Sequence, residues 1–200
     1  MLEKDLPYMD IIMKADKEVA VNHPLSQLPE GYSYHMYKDG DEIAWAELET
    51  SVEEFETFED ALTYFNRVFM PFQDTLHERM CFIVNEEGKF VSTASAWFKE
   101  DDKRRYALLH WVSTAPDEQG KGLASAIVKY ALSKFKTLEP EEKEIFLHTQ
   151  TWSYKAVGLY NKLGFYITKT PLLDCETNMD CIPILEKELP KELMQNIMER

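Results

Sequence analysis

The residues most suited to chemistry form one short run, Val112-Ser113-Thr114-Ala115-Pro116-Asp117-Glu118-Gln119-Gly120-Lys121-Gly122-Leu123-Ala124. A strand-like stretch, Tyr106 to Val112, precedes its loop. A helical pattern follows, with apolar residues at Leu123, Ile127, Val128, Ala131, Leu132 and Phe135 on one face. Gly120 and Gly122 remove side chains where a ligand would approach the backbone, and the first turn of the helix offers unpaired N–H groups at its positive end. That combination suits a phosphate. An ATP or GTP loop does not fit, because Lys121 is followed by Gly122 and Leu123 rather than by Ser or Thr. The dinucleotide pattern GxGxxG fails as well, since its third glycine position holds Ser125.

A second run, Ser153-Tyr154-Lys155-Ala156-Val157-Gly158-Leu159-Tyr160-Asn161-Lys162-Leu163-Gly164-Phe165, has helical spacing and ends on a glycine suited to a left-handed C-terminal cap. Ser153, Ala156 and Tyr160 recur at three and four residues and so share a face. The small Ala156 leaves room for a ligand, and a tyrosine hydroxyl on that face can donate a hydrogen bond or a proton.

Together the two runs resemble the GNAT superfamily of N-acetyltransferases. Gln119, Gly122 and Ala124 fill the fixed positions of its pyrophosphate loop, Gln/Arg-x-x-Gly-x-Gly/Ala. The later run resembles Asn-x-x-Ala-x-x-Leu-Tyr-x-x-x-Gly-Phe, with Ser153 standing where the family has Asn. The resemblance implies a mixed α/β fold, a splayed mixed sheet of about seven strands with helices on both faces. It implies acetyl-CoA as cosubstrate, entering between the fourth and fifth strands. Backbone groups of Val112 and Thr114 would pair with the pantetheine arm, and Gln119, Gly120, Lys121, Gly122, Leu123 and Ala124 would hold the pyrophosphate. Ser153, Ala156 and Tyr160 would line the cofactor, with Tyr160 as the acid for the departing thiolate.

An acetyl acceptor must present a neutral amine, so a base or a water chain has to take its proton. His110 is the first candidate and His148 a weaker one. Glu47 and Glu49 could bind a cationic acceptor, and Trp45, Trp97, Trp111 and Trp152 could line its pocket, although solvated carboxylates and core tryptophans are the commoner roles. The expected activity is acetyl transfer to a primary amine of a small cationic molecule. The alternatives are a non-catalytic acyl-CoA-binding sensor, or transfer to a protein N-terminus or lysine.

Composition narrows the partners. Lys and Arg number 22 against 36 Asp and Glu, and the formal charge of −14 would repel phosphate backbones and anionic lipid, so neither nucleic acid nor membrane is an expected partner. No apolar run approaches the roughly 20 residues needed to span a bilayer. The N-terminal residues lack the basic start and apolar stretch of a secretory signal, which leads to an expected cytoplasmic location. The 3 cysteines form no CxxC pair and the 5 histidines are scattered, so neither a disulfide framework nor a metal is expected.

The elements that must position these residues follow from pattern. Residues 1–30 are expected to be an accessory extension with a short helix around Met9 to Val19, residues 31–189 the acetyltransferase domain, and residues 190–200 a terminal helix or tail. Within the domain, strands are expected at 32–38, 81–84, 90–98, 106–112, 145–149, 165–169 and 181–185. Helices are expected at 42–52, 58–70, 123–135 and 154–163.

Overall fold

A computed structural model describes residues 2–198. In chain order it contains β1 (Asp10–Asp16), α1 (Lys17–Ala20), β2 (Ser33–Met36), α2 (Glu42–Ser51), α3 (Phe58–Val68), α4 (Gln73–Arg79), β3 (Met80–Val84), β4 (Phe90–Glu100) and β5 (Arg105–Thr114). Then come α5 (Leu123–Leu138), β6 (Glu144–Gln150), α6 (Tyr154–Lys162), β7 (Tyr166–Ile167), α7 (Cys181–Glu188) and α8 (Lys191–Met194). The strands form a seven-stranded mixed sheet in the order β2-β3-β4-β5-β6-β1-β7, in keeping with the expected mixed α/β class. The chain divides into two compact units.

The first unit comprises Pro24–Trp97 and Leu109–Leu138. Its β2, β3 and β4 pair antiparallel, and a tight turn joins β3 to β4, in which the Asn85 carboxamide oxygen accepts from the N–H groups of Glu87 and Lys89. The helix α3 starts where Thr57 Oγ1 accepts from Asp60 N at 3.1 Å, satisfying one of the donors a helix start leaves open. Its core is aromatic, built on Trp45, Phe65, Phe69, Phe82 and Phe135, all fully buried. The helix α5 buries Leu123, Ile127, Ala131 and Phe135, the face that its apolar spacing predicts.

The second unit comprises Leu2–His23, Phe98–Leu108 and the chain from Glu139 onward. Here β1 pairs antiparallel with both β6 and β7, and β5 pairs parallel with β6 at Ala107↔Ile145 and Leu108↔Phe146. The segment expected as a helix around Met9 to Val19 is therefore mostly a strand, with a single helical turn, Lys17–Ala20, at its end. Ile11, Ile12, Met13 and Ala15 are all fully buried, so both faces of β1 are covered and the alternation that marks a strand in sequence is absent.

The strand expected at Cys181–Leu185 is instead α7, which buries Cys181 and Leu185, one turn apart. Pro183 sits in its first turn, where a missing N–H costs nothing. The expected terminal helix shortens to one turn in α8, and positions 199 and 200 of that tail, like Met1, lie outside the described residues.

Candidate functional site

In the first unit, β5 ends at Thr114 and a single 3-10 turn, Pro116–Glu118, leads to the start of α5. The Gln119 side chain turns back and donates to Thr114 O at 3.2 Å, tying the loop to the strand end. Gly120 and Gly122 have φ of 79° and 82°, a left-handed backbone that L side chains rarely adopt, and a Cβ at either would meet nothing within 4 Å. The space over this loop is open. Leu123 is buried and anchors the helix, while Ala124 is half-buried beside the loop.

Lys121 does not extend into that space. Its ammonium donates to Glu118 Oε2 at 2.6 Å and to the Tyr32 hydroxyl at 2.9 Å, and Tyr32 itself donates to Glu118 at 2.6 Å. The hydrogen bonds from Lys121 and Tyr32 hold the Glu118 carboxyl below its usual range, and Glu118 raises the Lys121 ammonium. The loop can therefore offer backbone N–H groups while its one cation braces the turn.

Beneath the end of β5 lies a buried polar chain. Ser113 Oγ donates to Glu49 Oε2 at 2.7 Å, and Ser92 Oγ donates to Ser113 O at 2.8 Å while lying 2.7 Å from Thr114 Oγ1. Glu49 is fully buried, and burial pushes its carboxyl up to about 8 despite the Ser113 hydrogen bond. Burial thus favours its protonated form at neutral pH. Its Oε1 and the Trp45 Nε1, one helical turn away on α2, are buried with no hydrogen-bond partner among the described residues. Glu47, by contrast, is exposed and lines a groove of about 280 Å³ with Leu48, Lys89 and Ala115.

Trp111 interrupts β5 with a φ of 41°, strained for a bulky residue. Successive strand residues ordinarily point to opposite faces. Here His110 Nε2 lies 3.3 Å from the Tyr64 hydroxyl, and Trp111 Nε1 donates to that same hydroxyl at 3.1 Å. The Tyr64 hydroxyl thus joins the two side chains, and the tautomer of His110 sets whether its Nε2 donates to that oxygen or accepts from it. Burial raises Tyr64, with the Trp111 hydrogen bond opposing, so the phenol stays protonated. Rings of Trp45, Phe55 and Trp111 pack around Tyr64 with centroids 5.1–6.3 Å away.

In the second unit, a 3-10 turn, Thr151–Ser153, carries β6 into α6. Gln150 Oε1 accepts from Ser153 N at 3.0 Å and fixes the turn. Ser153 and Ala156 are half-buried on the α6 face that also holds the buried Tyr160. Gly164 closes the helix with φ of 93°, the left-handed cap that the sequence predicts. Trp152 is committed elsewhere, donating from Nε1 to Leu6 O at 2.7 Å and packing edge-on against Tyr8. His148 is exposed and lies 2.9 Å from Asp10.

The acetyltransferase (GNAT) family model matches residues 37–165, more than half of the chain and spanning both motif runs. The chain belongs to the GNAT family. Solved GNAT folds resemble it at low identity. A GCN5-related N-acetyltransferase from Sphaerobacter thermophilus superposes with a TM-score of 0.57 at 22% identity, covering 81% of this chain and 49% of that one. A tandem GNAT protein from the clavulanic acid biosynthesis pathway gives 0.60 at 17%, covering 82% and 51%. A GNAT-family acetyltransferase from Colwellia psychrerythraea gives 0.57 at 12%, covering 81% and 54%. The chain thus spans about half the length of these structures, and no curated protein matches it in sequence.

Within this GNAT chain the first unit brings Val112, Thr114 and Gln119 to Ala124 together at one strand end, with His110 two residues before Val112. The second collects Ser153, Ala156 and Tyr160. Tyr64, Ser92 and Tyr32 were not singled out by sequence, because each reaches the site through a contact distant along the chain. The one local hint was the pairing of a histidine with a tryptophan directly before Val112.

Proposed function

We propose that this chain transfers the acetyl group of acetyl-CoA directly to a primary amine of a small cationic molecule. The observation that carries the reading is the loop opening α5, where two left-handed glycines leave open space beside the backbone at the positive end of a 16-residue helix. Gln119 to Ala124 would grip the diphosphate, and the β5 edge at Val112 and Thr114 would pair with the pantetheine amides as an added strand does. The thioester supplies an activated acyl group, and the chain's task is to hold it against the amine.

In this reading Tyr160 donates a proton to the leaving thiolate, and His110, oriented by Tyr64, receives one from the ammonium. Ser153, in the place of the family's Asn, offers a shorter side chain to the cofactor. The charge of −14 supports a cationic acceptor. The aromatic group of Phe55, Tyr64 and Trp111 supports an acceptor with an apolar or cation–π-binding body.

The test is thiol release from acetyl-CoA across a panel of small amines and peptides, with amine-free controls to subtract the protein's own cysteines. Multiple turnovers with a small cationic amine are expected. Release with peptides alone would move the acceptor to a protein terminus or lysine. Coenzyme binding without release for any amine would leave an acyl-CoA-binding module.

A further inference from the structure

Three donor atoms from separate segments of the second unit converge. Asp10 opens β1, His148 lies on β6, and Cys175 follows β7. The pairing of Asp10 with Gln150 and Ile12 with His148 places Asp10 and His148 diagonally on one face of the sheet. Cys175 is held by a tight turn in which Leu172 and Cys175 exchange backbone hydrogen bonds of 2.9 and 3.0 Å. Asn178 N donates to Asp10 O at 2.9 Å, tying the same segment to β1, and the Tyr8 hydroxyl donates to Asp10 Oδ1 at 3.0 Å. As a result His148 Nε2 lies 2.9 Å from Asp10 Oδ1 and 3.6 Å from Cys175 Sγ, and the three atoms lie within 4.8 Å of one another.

Both contacts fall on the same ring nitrogen. A cysteine–histidine–aspartate proton relay uses the two different ring nitrogens, one toward the nucleophile and one toward the carboxylate. Here a single Nε2 faces both groups. A neutral ring with the proton on Nε2 serves the carboxylate and leaves the thiol proton without an acceptor there. The other tautomer accepts from the thiol but turns its lone pair on the carboxylate. A cation seated among the three removes the conflict, because nitrogen, oxygen and sulfur then all direct electron pairs to one point.

We propose that Asp10, His148 and Cys175 form a binding site for a borderline-soft divalent cation of the zinc type, with its remaining position open to water. Ligand bonds of about 2.0–2.3 Å place the donor atoms of a tetrahedral zinc roughly 3.3–3.8 Å apart. The His148–Cys175 separation already meets this, and the His148–Asp10 pair opens by roughly half an ångström to do so. A thiolate with an imidazole selects zinc-like ions over magnesium or calcium. The side chains of His148 and Asp10 are 36% and 41% exposed, so the ion enters from solvent. Ligation passes the thiol proton to water and pins the 172–178 segment to β1 and β6.

The test uses tag-free, metal-stripped full-length protein. Equilibrium dialysis should find a single equivalent of Zn²⁺, and Cys175→Ser and His148→Ala should each weaken it on the order of 100-fold, since even groups behind metal ligands are worth about 10–100-fold. Co²⁺ should produce a thiolate charge-transfer band in the unsubstituted protein and in Cys81→Ser, and none in Cys175→Ser. Zn²⁺ should raise the melting temperature of the unsubstituted protein and leave that of Cys175→Ser unchanged. Absence of the cobalt band in the unsubstituted protein, or equal Zn²⁺ affinity in all variants, overturns the site whatever the variants' stability.

Discussion

At the scale of single residues, two side chains separate chemistry from support. Tyr160 is buried on the α6 face it shares with Ala156, and its phenol is the acid in the proposed transfer. Tyr160→Phe should lower kcat roughly 100-fold with little change in the KM for acetyl-CoA, the pattern of an interaction made mainly in the transition state. Steady-state kinetics over a range of coenzyme concentrations checks this, and an unchanged kcat removes Tyr160 from the mechanism.

Glu49 belongs to the supporting set. Its carboxyl is raised to about 8 by burial, whereas in the unfolded chain it ionises near 4.5. Between those values the unfolded state has lost the proton and the folded state retains it, so the contribution of Glu49 to stability is fully present below about 4.5 and falls as pH rises to about 8. The slope is on the order of 1.4 kcal/mol per pH unit at most. Glu49→Gln should remove that fall, measured as a flatter dependence of urea unfolding free energy on pH. Sequence alone marks Glu49 as a candidate for contacting a cation; only its burial against Ser113 makes it a neutral group under β5.

At the scale of elements, glycine positions are the sharpest probe. Gly164 ends α6 with φ of 93°, and a Cβ there would lie 2.7 Å from Val19 Cγ1. Gly164→Ala should therefore cost roughly 2–3 kcal/mol, part from the left-handed backbone and part from the clash. Adding Val19→Ala should recover only the clash part, a non-additivity that a double-mutant cycle in chemical denaturation resolves.

The same scale shows where pattern reading succeeds and fails. Seven strands are expected and seven are found, but Asp10–Asp16 replaces Cys181–Leu185 in the set. Met9, Ile12 and Met13 mimic helical spacing because β1 is apolar on both faces. Cys181, Pro183 and Leu185 mimic strand alternation, although Cys181 and Leu185 are also one helical turn apart. Short apolar segments carry both periods at once, and only their packing partners choose between them.

At the scale of the whole molecule, β1 is decisive. It hydrogen-bonds to both β6 and β7 and buries four apolar side chains completely. Removing residues 1–16 should expose the edges of both strands and abolish cooperative unfolding, detectable as a loss of the sigmoidal far-UV circular dichroism transition on heating. Among the described residues no helix is long and apolar enough to cross a membrane.

What the sequence by itself determined is the α/β class, the GNAT relationship and the loop from Gln119 to Ala124, because each rests on local order. A left-handed glycine, a helix start and a helical face are properties of adjacent residues, legible without knowing what packs against them. Only the tertiary structure decided that Tyr64 joins His110 to Trp111, that Glu49 lies neutral beneath Ser113, and that Asp10, His148 and Cys175 meet. Those contacts span long stretches of chain, and burial and convergence are created by folding, so spacing along the sequence carries no trace of them.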